Sequence, residues 1–178
     1  MRDDELLGLI RDTPWIADLL ARFDFDTGRV ENGPPEPVRL PNGAPLEMVA
    51  GDASGGAFLL AGTGDRRPVV YAGSEGQGGL VAAGLRDALA LVVGLPSIHD
   101  ALGVPVGEDG GRKLRAWLAE ADDEIREDLP DLDADRARLR AALDLPEADG
   151  LLEALHAAAA DEAYRPVSDR GDRYESML

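Results

Sequence analysis

Residues 46–82 read LEMVAGDASGGAFLLAGTGDRRPVVYAGSEGQGGLVA. Apolar runs at 46–50, 57–61 and 69–72 are separated by glycine-rich segments, and 80–82 adds a short fourth run. Glycine adopts positive φ at little cost and aspartate bonds its own backbone, so these segments are typical of tight turns. The stretch therefore predicts an antiparallel meander. Its continuously apolar runs predict strands that are buried on both faces or covered by helices.

Helices are predicted on both sides of this stretch. Apolar residues repeat at helical spacing across 85–93, and Gly94 with Pro96 ends that helix. Before the sheet, residues 4–11 and a second helix that begins at Pro14 each carry one apolar stripe. The sequence thus predicts an α+β fold, with an antiparallel meander sheet covered by helices and an added C-terminal helical segment.

The C-terminal third has a different composition. After the glycine-rich segment 107–111, helix-forming residues dominate, and apolar residues recur at threes and fours from Leu114 to Ile125. Few apolar residues follow position 164. We predict an α+β core over 1–106, a helical C-terminal extension over 107–164 and a flexible tail over 165–178.

The charge balance limits the possible partners. The chain has 35 acidic and 18 basic residues and a formal net charge of −17. Such a field repels phosphate backbones and anionic lipid, so we expect neither direct nucleic-acid binding nor membrane binding. A basic protein partner suits this charge, whereas solubility alone is the alternative explanation. The oligomeric state stays open.

Cysteine content and the lack of targeting segments indicate the cellular compartment. Cysteine is absent, which excludes disulfides, thiolate nucleophiles and cysteine metal sites. The N-terminus lacks a basic segment followed by an apolar run, and no stretch approaches the roughly 18 apolar residues of a membrane span. We expect a soluble, cytoplasmic protein. The preference for arginine over lysine, with abundant Ala and Gly, suggests a bacterial genome of high GC content.

The sequence contains no recognisable catalytic motif. His99 and His156 lie on different predicted helices without a nucleophile motif nearby. Ser54 and Ser74 fit glycine-rich turns rather than a nucleophile elbow. Residues 73–79 lack the order of a phosphate-binding loop. We therefore predict no catalytic residue, no cofactor and a protein that is not an enzyme.

A calcium site is also not predicted. Asp131, Asp133 and Asp135 match the first ligands of a calcium loop, but Arg136 and Ala142 stand where that loop needs Gly and Glu. The three aspartates instead belong to an anionic belt, which we define as Glu120, Asp122, Asp123, Glu124, Glu127, Asp128, Asp131, Asp133 and Asp135. Such a belt is either a solvated face or a surface for a cationic partner.

Part of the chain resembles the SUKH superfamily. The resemblance lies in residues 45–60, with their Gly-Asp-x-x-Gly turn, in Pro68-Val69-Val70-Tyr71, in Gly73-Ser74-Glu75-Gly76, and in the helix over 85–93. This family comprises yeast cell-wall synthesis regulators and bacterial immunity proteins that bind and neutralise toxins. The resemblance covers about a third of the chain and implies an α+β core and a protein-binding role.

Three functions remain open at this point. The first is an immunity protein that neutralises a cognate toxin, for instance a basic nuclease, with partner contacts at Asp52, Glu75, Asp122, Asp123 and Asp128. The second is a scaffold or regulator of a bacterial assembly, and the third is a carboxylate-dependent enzyme. An enzyme predicts polar residues converging in one concave pocket, an inhibitor predicts acids on a flat or convex face, and a scaffold predicts an exposed apolar patch.

Overall fold

A computed structural model describes all residues, 1–178. Its α-helices are α1 (Asp3–Asp12), α2 (Pro14–Ala21), α3 (Leu85–Gly94), α4 (Ile98–Gly103), α5 (Arg112–Asp128), α6 (Leu132–Leu143) and α7 (Leu152–Ala159). Its strands are β1 (Val38–Arg39), β2 (Leu46–Gly51), β3 (Ala57–Ala61), β4 (Val69–Ala72), β5 (Gly78–Ala82) and β6 (Val167–Ser168). Short 3₁₀ turns occupy Thr27–Asn32, Ala148–Leu151 and Glu162–Tyr164.

Strands β2 to β5 form a four-stranded sheet in sequence order, and every neighbouring pair is antiparallel. The two central strands pair Leu59 with Val70, and an irregularity shifts the register of β2 between Met48 and Ala50. Strands β1 and β6 form a separate antiparallel pair. The predicted meander and the α+β fold class are confirmed.

Helices cover one face of the sheet. Phe58, Leu60, Val69, Tyr71 and Val81 point to this face and belong to the main apolar cluster. The helices contribute the other members, among them Leu6, Leu7, Ile10, Leu20, Leu85, Leu89, Leu114, Leu139, Leu152 and Leu155. Burial of each such aliphatic side chain stabilises the fold by roughly 1.5–3 kcal/mol.

The opposite face carries a second, smaller cluster. Leu59, Val70 and Leu80 lie on it and pack with Leu40 and Tyr174. Because both faces are covered, every residue of β3, β4 and β5 is buried. The continuous apolar runs in the sequence have this physical origin.

The C-terminal segment, residues 165–178, helps to cover the second face of the sheet. Strand β6 pairs with β1, the Tyr174 hydroxyl donates to Glu36 Oε1 at 2.9 Å, and the Gly78 amide donates to the Glu175 carbonyl at 3.0 Å. The flexible tail predicted for 165–178 therefore differs from the structure. Spaced apolar residues, Val167, Tyr174 and Met177, are enough to bury this segment despite the charges between them.

The C-terminal helices share the main core. Helix α7 packs on β5 and α6 packs on α3, and Leu114 and Leu118 attach α5 to the same apolar cluster. Residues 107–164 are thus joined to 1–106 by continuous packing. None of the helices has the length and apolar character needed to cross a lipid bilayer.

Candidate functional site

A cleft opens where the end of α2, the α3–α4 connection and the α5–α6 hairpin meet. Its cavity volume is about 140 Å³ beneath a mouth that is open to solvent, which is room for a side chain rather than for a drug-sized ligand. The apolar lining residues are Phe23, Phe58, Val92, Leu95, Pro96, Ile98, Ile125, Leu129 and Leu132. The polar lining residues are Arg22, Asp24, Asp52, Ser97, His99, Asp135 and Arg136.

Stacked aromatic rings support the sheet side of the cleft. The Phe58 and Tyr71 ring centroids are 5.2 Å apart, and the Tyr71 and His99 centroids are 4.9 Å apart, both in edge-to-face geometry. Phe25 packs behind Phe58 at 5.2 Å. Such pairs add roughly 0.5–1.5 kcal/mol each beyond their buried area, so this wall is rigid.

Asp52 organises the turn between β2 and β3. Its Oδ1 accepts from the Ser54 amide at 2.9 Å, the Ser54 hydroxyl at 2.6 Å and the Gly56 amide at 2.9 Å, while Oδ2 accepts from the Tyr71 hydroxyl at 2.5 Å. Burial alone would raise the pKa of Asp52, but these hydrogen bonds outweigh it and hold the pKa below its usual value. The carboxylate is therefore ionised and fully engaged within the protein.

Two glycines make this turn possible. Gly55 has φ +90, which most side chains avoid, and a Cβ on Gly56 would lie 2.1 Å from the Tyr71 hydroxyl oxygen. Burial, followed by the hydrogen bond to Asp52, raises the pKa of Tyr71 well above its usual range. Tyr71 is thus a fixed hydrogen-bond donor, and its proton is not available for acid–base chemistry near neutral pH.

Both arginines of the cleft are neutralised by aspartates. Arg136 is buried and forms a bidentate pair with Asp122 at 2.9 and 2.7 Å, and its Nε donates to the Val93 carbonyl at 2.8 Å. Arg22 pairs with Asp135 at 3.0 Å. Because these cations already have partners, the cleft is not an anion site.

Asp24 is the carboxylate of the cleft that has neither a cationic partner nor a full set of hydrogen-bond donors. It follows α2 in the left-handed conformation, with φ 59, at the point where the Phe25 amide bonds back to the Leu20 carbonyl. Its Oδ1 accepts from the Ala53 amide at 3.3 Å, and the side chain is exposed. The cleft thus has an apolar floor and an unbalanced negative charge at its edge.

Of the five predicted contact residues only Asp52 lines this cleft, and the five differ in availability. Asp52 and Asp122 are committed to internal bonds. Glu75 is exposed on the β4–β5 hairpin loop, which the Ser74 hydroxyl joins to the Ser54 carbonyl at 2.8 Å. Asp123 is exposed and paired with Arg126, and exposed Asp128 precedes the lining residue Leu129.

The other candidate residues have structural surroundings. His156 Nε2 lies 2.8 Å from the Ala101 carbonyl, which joins α7 to α4. The Ser97 hydroxyl accepts from the Asp100 amide at 3.3 Å and caps α4. Of the aspartates considered for calcium, Asp133 pairs with Arg126 and Asp135 with Arg22. The structure contains no cluster of three or more His, Asp or Glu side chains arranged to hold a metal ion.

Sequence reasoning missed Asp24, Phe23 and Arg136 as parts of one site. Asp24 and Arg136 are far apart in the chain, and only the packing of α6 against α2 and α3 brings their neighbourhoods together. One signal was available, because an arginine between apolar residues of a helix stripe, as in 132–139, is typical of a buried ion pair. No family model, curated protein or solved structure is significantly similar to this chain.

Proposed function

We propose that this protein is a non-catalytic protein-binding module that recognises a basic partner, and that it acts as a bacterial immunity protein which neutralises a cognate toxin. The resemblance to the SUKH superfamily suggests the class, and the charge distribution carries the proposal. Twelve of the 18 basic residues form ion pairs, which leaves six, whereas 14 of the 35 acidic residues do so, which leaves 21. The charge available to a partner is therefore overwhelmingly negative.

The carboxylate-dependent enzyme is the less favoured alternative. Polar groups do converge in the cleft, as an enzyme requires. However, the polar atoms at its base already serve the fold: Asp52 holds the turn, Tyr71 donates to Asp52, and Ser97 caps α4. These commitments favour recognition over proton transfer, because they leave mainly Asp24 and His99 open to a substrate, and no side-chain hydroxyl is hydrogen-bonded to either as a nucleophile would be.

A scaffold or regulator of an assembly is the other alternative. Scaffolds present contiguous apolar surface. The large apolar side chains that are exposed here, Met1, Trp117, Leu129 and Leu178, are spread along the chain. Trp117 and Leu129 are twelve positions apart, which corresponds to roughly 18 Å along the helix direction. These positions support a charged interface better than an apolar one.

The test begins with capture of partners by the tagged, full-length protein from bacterial lysate at low and high salt, with identification by mass spectrometry. A toxin candidate is then purified, and its toxicity on expression in bacteria is measured with and without this protein. We expect a basic partner that is released at high salt and whose toxicity the protein suppresses.

Charge variants supply the control. Replacing Glu75, Asp123 and Asp128 with Gln or Asn removes three exposed charges without touching the core, and we expect slower association with the partner. Recovery of no basic partner, or a basic partner whose activity is unaffected by the protein, would contradict the proposal.

A further inference from the structure

We infer that the cleft receives an arginine side chain of the partner, with the guanidinium beside Asp24 and the aliphatic stem against Phe23, Ile98 and Leu129. This inference rests on the proposed function and adds the point of contact. It assigns a role to a cleft that polar groups and apolar residues build together.

The charge of the cleft favours a cation. Its lining has three carboxylates, Asp24, Asp52 and Asp135, and two guanidiniums, Arg22 and Arg136. Arg22 is paired within the lining, Arg136 is paired with Asp122 beneath it, and Asp52 is satisfied by hydroxyl and amide donors. Asp24 remains: it is exposed, it has one hydrogen bond, from the Ala53 amide to its Oδ1, and it has no salt bridge. The surrounding excess of acids makes the potential at the cleft still more negative.

The lining favours guanidinium over ammonium. Guanidinium is planar, weakly hydrated and stacks on aromatic faces, whereas ammonium is compact and strongly hydrated. Phe23, half-buried at the cleft edge, and exposed His99 flank Asp24 and Asp52 with aromatic surface. An arginine stem also covers apolar surface such as Ile98 and Leu129 while its charged end stays at the rim.

The direct test is a titration of the full chain with Nα-acetyl-arginine amide as the probe. Binding is monitored by ¹⁵N–¹H NMR at pH 7.5. The neutral near-isostere Nα-acetyl-citrulline amide and the lysine analogue are titrated in parallel. We expect saturable shifts at residues 22–24 and 97–99 for arginine, weaker binding of lysine and no saturable binding of citrulline.

Asp24→Asn is the decisive variant. Asparagine tolerates positive φ, so the turn is kept, and we expect the dissociation constant for the arginine probe to rise about fivefold. Asp18→Asn is the matched control, because Asp18 is exposed, unpaired and outside the cleft, and removes the same charge. Phe23→Leu keeps apolar bulk but removes the aromatic face. It should therefore weaken binding of the arginine probe more than binding of the lysine probe.

Several results overturn the inference: shifts that map away from the cleft, citrulline that binds as well as arginine, no binding of any probe, or equal effects of Asp24→Asn and Asp18→Asn. Affinity measurements with the purified partner distinguish failure of this inference from failure of the proposed function. If the partner binds Asp24→Asn and the unaltered protein equally but loses affinity for the Glu75, Asp123 and Asp128 variant, the protein-binding role stands and the cleft is not its contact.

Discussion

At the scale of single residues, Asp52 shows how a turn signal in the sequence becomes a rigid wall. Its carboxylate collects two amides and two hydroxyls within the β2–β3 turn and from β4. The bond to Tyr71 then fixes the ring on which His99 packs. Asp52, which the sequence predicted as a partner contact, is instead engaged by donors of its own turn and by Tyr71.

Replacing Asp52 with Asn tests this role. We expect a loss of about 2 kcal/mol in the free energy of unfolding at pH 7, since hydrogen bonds to a buried charge are broken. The folded-state pKa of Asp52 is lowered, so its stabilisation is present above the unfolded pKa of about 3.9 and disappears as pH falls through the folded pKa.

Urea denaturation of both proteins between pH 7 and pH 3 measures this difference. The gap between wild type and Asp52→Asn should therefore narrow below about pH 4. Glu75→Gln, on the adjacent exposed loop, serves as the control and should change stability by less than about 0.5 kcal/mol. A gap that is constant with pH would show that the carboxylate charge is not what stabilises the turn.

At the scale of elements, the α5–α6 hairpin forms one wall of the cleft through two ion pairs of unequal burial. Arg136 and Asp122 retain only 11% and 15% of their side-chain exposure, whereas Arg126 and Asp133 retain 37% and 67%. Removal of one partner from a buried pair leaves an uncompensated charge, but an exposed pair is solvated by water when broken.

We predict that Arg136→Ala lowers the free energy of unfolding by about 3 kcal/mol and Arg126→Ala by less than about 1 kcal/mol. Thermal or urea denaturation gives both values. The double variant Arg136→Ala with Asp122→Ala should recover part of the loss, because no charge is then left without a partner. Equal losses for the two single variants would mean that this hairpin is not anchored by the buried pair.

At the scale of the whole molecule, the net charge of −17 acts against the fold. Self-repulsion destabilises a compact, highly charged chain, and salt screens it. Exposed ion pairs, which salt also weakens, contribute little each. Repulsion should therefore dominate the response to salt.

We expect the melting temperature to rise by about 3 °C between 10 mM and 500 mM NaCl, which corresponds to roughly 1 kcal/mol for a chain of this size. Differential scanning calorimetry measures it, and neutral sucrose at equal osmolality controls for solute exclusion. A fall in melting temperature with NaCl would mean that the network of ion pairs outweighs the repulsion.

The sequence alone determined the meander and most helices, because these depend on local pattern: alternating or continuous apolar runs, glycine-rich turns and stripes at threes and fours. The hairpin loop around Glu75 and the end of α3 at Gly94 lie where that pattern placed them. Charge and composition likewise follow from the residues themselves.

Only the tertiary structure decided which polar groups meet. The cleft joins residues from 22 to 136, and the C-terminal segment covers a sheet face about a hundred residues before it in the chain. Tertiary packing also decided that Asp52 and Asp122 turn inward while Asp24 stays exposed and unpaired with any cation. The physical reason is that burial and pairing depend on distance in space, which no local periodicity encodes.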